Sequence, residues 1–180
     1  QDEITARMIE LARAGHLVVR LKGGDPFLFG RGGEELRDLS EAGIDVMVVP
    51  GVSSALAAGA SIGVPATLRG IASSVAITTA RGGAAGRLRE LAAASDTLVV
   101  LMARANLSET AAEIAEAVGP STPAAVVSRA TFEDQRSVTG PLADIARLAD
   151  AARLPAPATL IVGDVVNAVT ARSLAALATG

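Results

Sequence analysis

Residues Val18–Glu35 read VVRLKGGDPFLFGRGGEE, and the change of character along this stretch decides the fold. Leu17–Leu21 is a near-continuous aliphatic run, the pattern of a strand buried on both faces of a parallel sheet. A glycine-rich loop follows. The spacing beyond it predicts a helix over Gly33–Ala42, with Leu36 and Leu39 inward and Gly43 as its stop. Strand, glycine loop and helix in that order form the unit of an α/β layer. In such layers ligands bind beyond the carboxyl ends of strands, where helix N-termini also point.

Four loops stand at such positions. In Gly23-Gly24-Asp25-Pro26 the glycines let a ligand approach the main chain, and Asp25 offers an anionic acceptor for hydroxyls or an ammonium. The plainer alternative is a tight turn with Asp25 as a local cap. Gly30-Arg31-Gly32-Gly33-Glu34-Glu35 nearly mimics a dinucleotide fingerprint, but Glu35 replaces the third glycine and the run does not directly follow a strand. Arg31 there is either free to swing toward a carboxylate or a surface residue near a helix start. In Pro50-Gly51-Val52-Ser53-Ser54, Ser53 or Ser54 offers a hydroxyl at a helix N-terminus, for a ligand carboxylate or simply as an N-cap. Arg81-Gly82-Gly83 with Gly86 lacks the Lys-Ser/Thr pair of a phosphate loop, because Arg87-Leu88 follows.

The alternation extends in both directions. Ahead of the first strand, Ile4, Met8 and Leu11 recur at helical spacing behind a capping Asp2. Strands are expected at Val46–Val49, Ser74–Thr79, Thr97–Met102, Ala124–Ser128 and Thr159–Val162, with a polar, antiparallel one at Gln135–Thr139. Helices are expected from Ser53-Ser54 onward and over Arg87–Ala94, Leu107–Val118, Leu142–Ala152 and Val166–Leu177. Pro65 between the glycines of Gly63–Gly70 has the punctuation of a linker, and the domain boundary is expected there, dividing 1–66 from 67–180.

Composition narrows the chemistry. Half of the 180 residues are apolar, aromatics are 2% and Trp and Tyr are absent, so the core is aliphatic and few bases could be stacked. With net charge −3 there is no basic footprint, and nucleic acid is not an expected partner. The chain has no Cys and a single His, His16, read as a surface residue after a helix end. No metal site of nitrogen and sulfur ligands is expected, nor thiol or Ser-His-Asp chemistry. Lys22 is the only lysine, and arginine as the dominant cation favours carboxylate clamps over Schiff-base chemistry. No apolar run approaches the ~18 residues of a membrane span, and cytoplasm is the default compartment.

The loops together match one family. VVRLKGGDPFLFGRGGEE resembles the signature of uroporphyrinogen-III C-methyltransferases of the tetrapyrrole methylase family, and VVPGVSSALA (Val48–Ala57) resembles their second motif. TLVVLMA (Thr97–Ala103), TPAAVVSRAT (Thr122–Thr131), RSVTGPLADI (Arg136–Ile145) and PATLIVGDVV (Pro157–Val166) follow in the family's order, so the resemblance covers nearly the whole chain.

The resemblance implies a two-domain class III methyltransferase fold, with a mainly parallel sheet in the N-terminal domain and a mixed sheet in the C-terminal one. It implies a homodimer with S-adenosylmethionine in the cleft between the domains. By resemblance Gly23, Gly24, Asp25, Leu28, Ser53, Ser54, Met102 and Ala130 contact that cofactor. The reaction implied is methylation of uroporphyrinogen III at C2 and then C7, giving precorrin-2 for siroheme and cobalamin. Displacement at a methyl carbon demands alignment and exclusion of water more than a metal or protein nucleophile. Arg31 and Arg69 are the candidates for holding the substrate's carboxylates.

The chain opens at QDEI inside a helical pattern without an initiator Met, so more sequence is expected before Gln1. The family's G-P-G-D-P loop, and the Asp and Lys proposed for proton handling, are expected there. Leu68 stands where the family usually has His, and Thr78–Gly83 lacks the common Ser-Gly-His. These departures keep two alternatives open: a paralogue methylating another corrin intermediate, and a non-catalytic S-adenosylmethionine-binding module.

Overall fold

The computed structural model describes residues 1–80 and 87–168, in two compact units, Gln1–Ser53 and Ser54–Gly180. The loop Arg81–Gly86 and the expected helical continuation beyond Ala168 lie outside the described residues.

In the first unit, helices α1 (Asp2–Arg13) and α2 (Gly32–Glu41) pack on each other. Gln1 rather than Asp2 takes the cap position of α1. Asp2 and Glu3 fall in its first turn and Arg13 in its last, a charge order that complements the helix dipole. The inward residues differ in part from the aliphatic stripe expected. Met8 and Leu39 are buried, but Ile4 is 42% exposed, and Thr5 and Glu35 take inward positions.

The runs 17–21 and 46–49 are not helical, and neither joins a ladder among the described residues. The strands and parallel sheet expected here are therefore not seen in this unit. Leu17 is 95% exposed and Met47 86%. Aliphatic composition specifies a tendency to be buried, but a strand also needs a neighbour about 4.8 Å away to bond with.

The second unit is an α/β layer. Its five-stranded sheet has the order β1-β2-β5-β3-β4, formed by β1 (Val75–Thr79), β2 (Thr97–Leu101), β3 (Pro123–Ser128), β4 (Arg136–Pro141) and β5 (Ala158–Val162). β1 and β2 are parallel, β5 runs antiparallel between β2 and β3, and β4 folds back antiparallel on β3. This is the mixed sheet expected, including the antiparallel assignment of the polar strand.

Alternation sorts the side chains of the central strands. Val100, Val126 and Leu160 face a core closed by α4 (Leu88–Ala93), α5 (Leu107–Val118) and α6 (Ile145–Ala151). Ala125, Val127 and Ile161 face the other way, against α3 (Ser54–Ser61) and α7 (Val165–Ala168). Ala58, Val64 and Ala72, on both sides of Pro65, are buried in that second core. Gly59 sits close to the turn after α3, where a Cβ would come 2.5 Å from the Val64 carbonyl. Among the described residues, no helix is long and apolar enough to cross a membrane.

One carboxylate fixes the start of the parallel pair. Asp96, just before β2, accepts the N–H groups of Ser73 and Ser74 at 2.8 and 2.9 Å and both their hydroxyls at 3.0 and 2.9 Å. These bonds, the Ser73 N–H first, hold the Asp96 pKa down at about 2, against 3.8 for an unperturbed group. A depressed acid stabilises the fold above its unfolded value and loses that contribution as pH falls through its folded one. Acid titration followed by circular dichroism should therefore show a loss of stability between about pH 4 and pH 2 that Asp96→Asn removes. An unaltered acid profile in that variant would count against the pin.

Candidate functional site

The Gly23–Asp25 loop is built by the glycines that follow it. Phe29 and Arg31 turn through positive φ, at 52° and 59°, bringing the chain back under the Asp25-Pro26 turn. Gly32 then donates its N–H to the Pro26 carbonyl at 2.9 Å. A Cβ on Gly30 would stand 2.7 Å from that carbonyl oxygen, and one on Gly32 would clash with it outright. The GRGG run thus supports the turn above it, which explains the near-miss to a dinucleotide fingerprint. The glycines serve a fold-back, not a pyrophosphate.

A second loop closes on the first. Asp25 Oδ1 accepts the Phe27 N–H at 2.9 Å, and Oδ2 accepts the Gly51 N–H at 3.1 Å. The bond from Gly51 is the largest of the influences that hold the Asp25 pKa below its usual value, with that from Phe27 next. Asp25 is therefore both a local cap and a tie between loops. Each oxygen keeps a further lone pair for a ligand. Gly51 is required by the closeness of approach, since a Cβ there would meet the Gly24 carbonyl oxygen at 2.8 Å. Ser53 is buried beside Gly24, whose own Cβ would lie 3.7 Å from the Ser53 Cα. The outer side of Gly23 is open, with no heavy atom within 4 Å of where its Cβ would be.

The first unit thus brings together Gly23, Gly24, Asp25 and Ser53, with Leu28 in the same turn through its N–H to the Asp25 carbonyl. Arg31 stands at the start of α2, with its guanidinium donating to Glu34 at 2.6 Å on the surface.

In the second unit, Met102 and Ala130 share one edge. β1, β2 and β3 all point the same way, so their carboxyl ends line up, with β5 between the last two. Two strand spacings set the ends of β2 and β3 roughly 10 Å apart. The backbone is strained along this edge. Met102 has φ 56°, and Arg129 and Thr131 flank Ala130 at 49° and 71°. Left-handed non-glycine residues cost free energy and collect at ligand sites. Arg129 lies over the Phe132 ring at 4.8 Å and donates to Asp134 at 2.7 Å, which fixes that loop. Ser54 opens α3, while Arg69 sits exposed in the turn closed by the Leu68–Ala72 bridge.

Two residues escaped the sequence reading. Glu35 is buried in α2 and bonded to Lys22, Arg20 and Gln1, and Lys22 was noticed only as the lone lysine. The available signal was an acid in the first helical turn thirteen residues after a lysine at a strand end. That signal is weak, because exposed pairs have the same spacing.

These features define an α/β protein with a pair of glycine-lined loops tied together in one unit and, in the other, strand ends followed by residues at positive φ. The family model of the Tetrapyrrole (Corrin/Porphyrin) Methylases matches residues 1–146, and the chain belongs to that family. It is similar to the uroporphyrinogen-III C-methyltransferase of Methanobacterium ivanovii, 45% identical over 81% of this chain and 64% of the relative. It also resembles the siroheme synthase of Hahella chejuensis, 42% identical over 93% of this chain and 36% of the relative. Among solved structures it matches the uroporphyrin-III C-methyltransferase of Thermus thermophilus complexed with S-adenyl homocysteine. The TM-score there is 0.81 at 39% identity, covering 94% of this chain and 75% of the other. The chain thus spans less than two thirds of the length of these two sequence relatives.

Proposed function

We propose that this chain is the core of an S-adenosylmethionine-dependent methyltransferase that converts uroporphyrinogen III to precorrin-2, by methylation at C2 and then C7. The observation that carries this reading is the pair of loops tied by Asp25, with the open main chain of Gly23 beside the tie. Family membership supplies the reaction class. The loops suit a bulky nucleoside amino acid. Asp25 has free lone pairs for its hydroxyls or ammonium, and a side chain at Gly23 would fill the space against which it lies. Bound S-adenosylmethionine supplies an electrophilic methyl group on its sulfonium. Gly23, Gly24, Asp25, Leu28 and Ser53 orient it, and Ser54, Met102 and Ala130 are its further proposed contacts. Arg31 and Arg69, both at the surface, are proposed to receive substrate carboxylates. For Arg31 this means exchanging its bond to Glu34 for one to the substrate. A homodimer in the cytoplasm, with domains divided at 66/67, completes the proposal.

One observation favours the paralogous reading. Leu68, where the resemblance calls for His, packs partly buried against the core containing Ala58 and Val127. A hydrocarbon there offers nothing to a carboxylate, so another corrin intermediate is the second substrate to assay. Radiolabelled methyl transfer from S-adenosylmethionine, with uroporphyrinogen III and a later corrin intermediate offered in separate assays, separates these readings. Label appearing in precorrin-2 supports the first, and label passing only to a later corrin supports the second. With either substrate, Asp25→Ala should weaken binding of S-adenosylhomocysteine roughly tenfold by calorimetry, as for a lost charged hydrogen-bond partner. Equal affinity in both proteins would remove Asp25 from the site.

A further inference from the structure

Glu35 is the most buried carboxylate among the described residues, and the function proposed above leaves it without a role. Its side chain is 6% exposed and that of Lys22 13%. Lys22 donates to one carboxylate oxygen at 2.5 Å, and Gln1 and Arg20 donate to the other at 2.7 and 3.1 Å. Burial opposes ionisation of Glu35, but the bonds from Lys22, Gln1 and Arg20 outweigh it and keep the carboxyl below its usual range. Three separate segments therefore meet on one group: the start of α1, the end of the run 17–22, and the first turn of α2.

Their placement matters because of what comes next in the chain. Lys22 directly precedes Gly23, so the ion pair holds the entry to the Gly23–Asp25 loop. The far side of that loop is held by the Gly32 N–H on the Pro26 carbonyl, in the same turn of α2 that carries Glu35. Two adjacent glycines have no side chains of their own to fix their course. Anchors at both ends supply that constraint from outside.

We propose that Glu35, acting through Lys22, is a positioning residue that sets the conformation of the Gly23-Gly24-Asp25 loop for cofactor binding. The inference rests on the reading of this loop as the cofactor's seat. It also gives Lys22 a structural partner in place of a chemical task.

A buried ion pair can be replaced by apolar residues of similar size without loss of stability, whereas removing one partner leaves a stranded charge. The informative variant is therefore the double one, Lys22→Met with Glu35→Leu, compared with Glu35→Gln and with wild type. Amide hydrogen exchange across residues 21–27 reads the loop directly, thermal melting reads the fold, and calorimetry with S-adenosylhomocysteine reads the site. The expected result for the double variant is a melting temperature near that of wild type, faster exchange at Gly23–Asp25, and affinity reduced roughly tenfold or more. Glu35→Gln should show the same loosening with a lower melting temperature. Loop exchange identical to wild type in a folded double variant overturns the positioning role, whatever the ligand does. Faster exchange with unchanged affinity in both the double variant and Asp25→Ala overturns instead the reading of the loop as the cofactor's seat. Faster exchange with unchanged affinity in the double variant alone shows that the loop binds without needing the anchor, and sinks the inference.

Discussion

Gly51→Ala is expected to reduce affinity for S-adenosylhomocysteine between several-fold and a hundredfold while leaving the sheet of residues 75–162 intact. The added methyl would stand 2.8 Å from the Gly24 carbonyl oxygen, 3.2 Å from its carbon and 3.4 Å from the Asp25 nitrogen. All three are main-chain atoms, so no side chain can rotate away. Forcing a methyl into filled space costs about 1–3 kcal/mol. Here the cheapest relief is to part the two loops, which also breaks the Gly51 N–H bond to Asp25. The loops then lose the geometry proposed to receive the nucleoside, and the cost appears as lost binding. The comparison variant is Gly33→Ala, where no heavy atom lies within 4 Å of the new Cβ. Calorimetry should find it close to wild type. If Gly51→Ala binds as tightly as wild type, the close approach of the loops has no part in the site.

The sequence made the loops visible but not their relation. Gly23, Gly24 and Asp25 stood out because adjacent glycines beside an acid after an aliphatic run are unusual in themselves. That Asp25 reaches across twenty-six positions to Gly51 is a long-range contact with no local signature. The same limit hid Glu35. A helix reading assigns inward positions by hydropathy and so favours Leu36. The buried place went to its acidic neighbour, because Lys22, Arg20 and Gln1 converge on it from elsewhere. Arg31 shows the converse. Flanking glycines suggested freedom for its side chain, yet they are required by the Pro26 carbonyl, and the guanidinium lies on Glu34.

The second unit was read more fully because its signals are local. The span of α5 agrees with its expected limits at both ends, since Gly119-Pro120 stops the helix for covalent reasons. The polar character of β4 correctly marked a strand with an antiparallel partner, which is β3. Strand order was not legible. Placing β5 between β2 and β3 depends on a connection from β4 through α6 whose length is compatible with several neighbours. The runs 17–21 and 46–49 pair with no strand among the described residues. Their residues have the composition of inner strands, but burial is a property of what lies alongside.

That distinction predicts a sharp contrast between two leucines. Leu160→Ala is expected to destabilise the chain by about 2–5 kcal/mol, and Leu17→Ala by no more than about 0.5 kcal/mol. Leu160 has no exposed surface, and Leu17 is 95% exposed. Removing Leu160 costs the transfer of its methyl and methylene groups and also leaves a void. Its neighbours cannot close that void readily, because β5 is bonded on both sides. Opposite Leu160 stand Val100 on β2 and Val126 on β3, both fully buried in the same core. The ladders of β5 with β2 and β3 set the spacing of those two strands, and the row of Val100, Leu160 and Val126 packs the sheet against its helices. Urea unfolding should therefore show a lower midpoint for Leu160→Ala with an unaltered slope. Because the two strands are held apart only by β5, the variant should also raise amide exchange at Met102 and at 129–131 before the sheet unfolds. Equal stabilities for the two alanine variants would mean that β5 is not the centre of the fold.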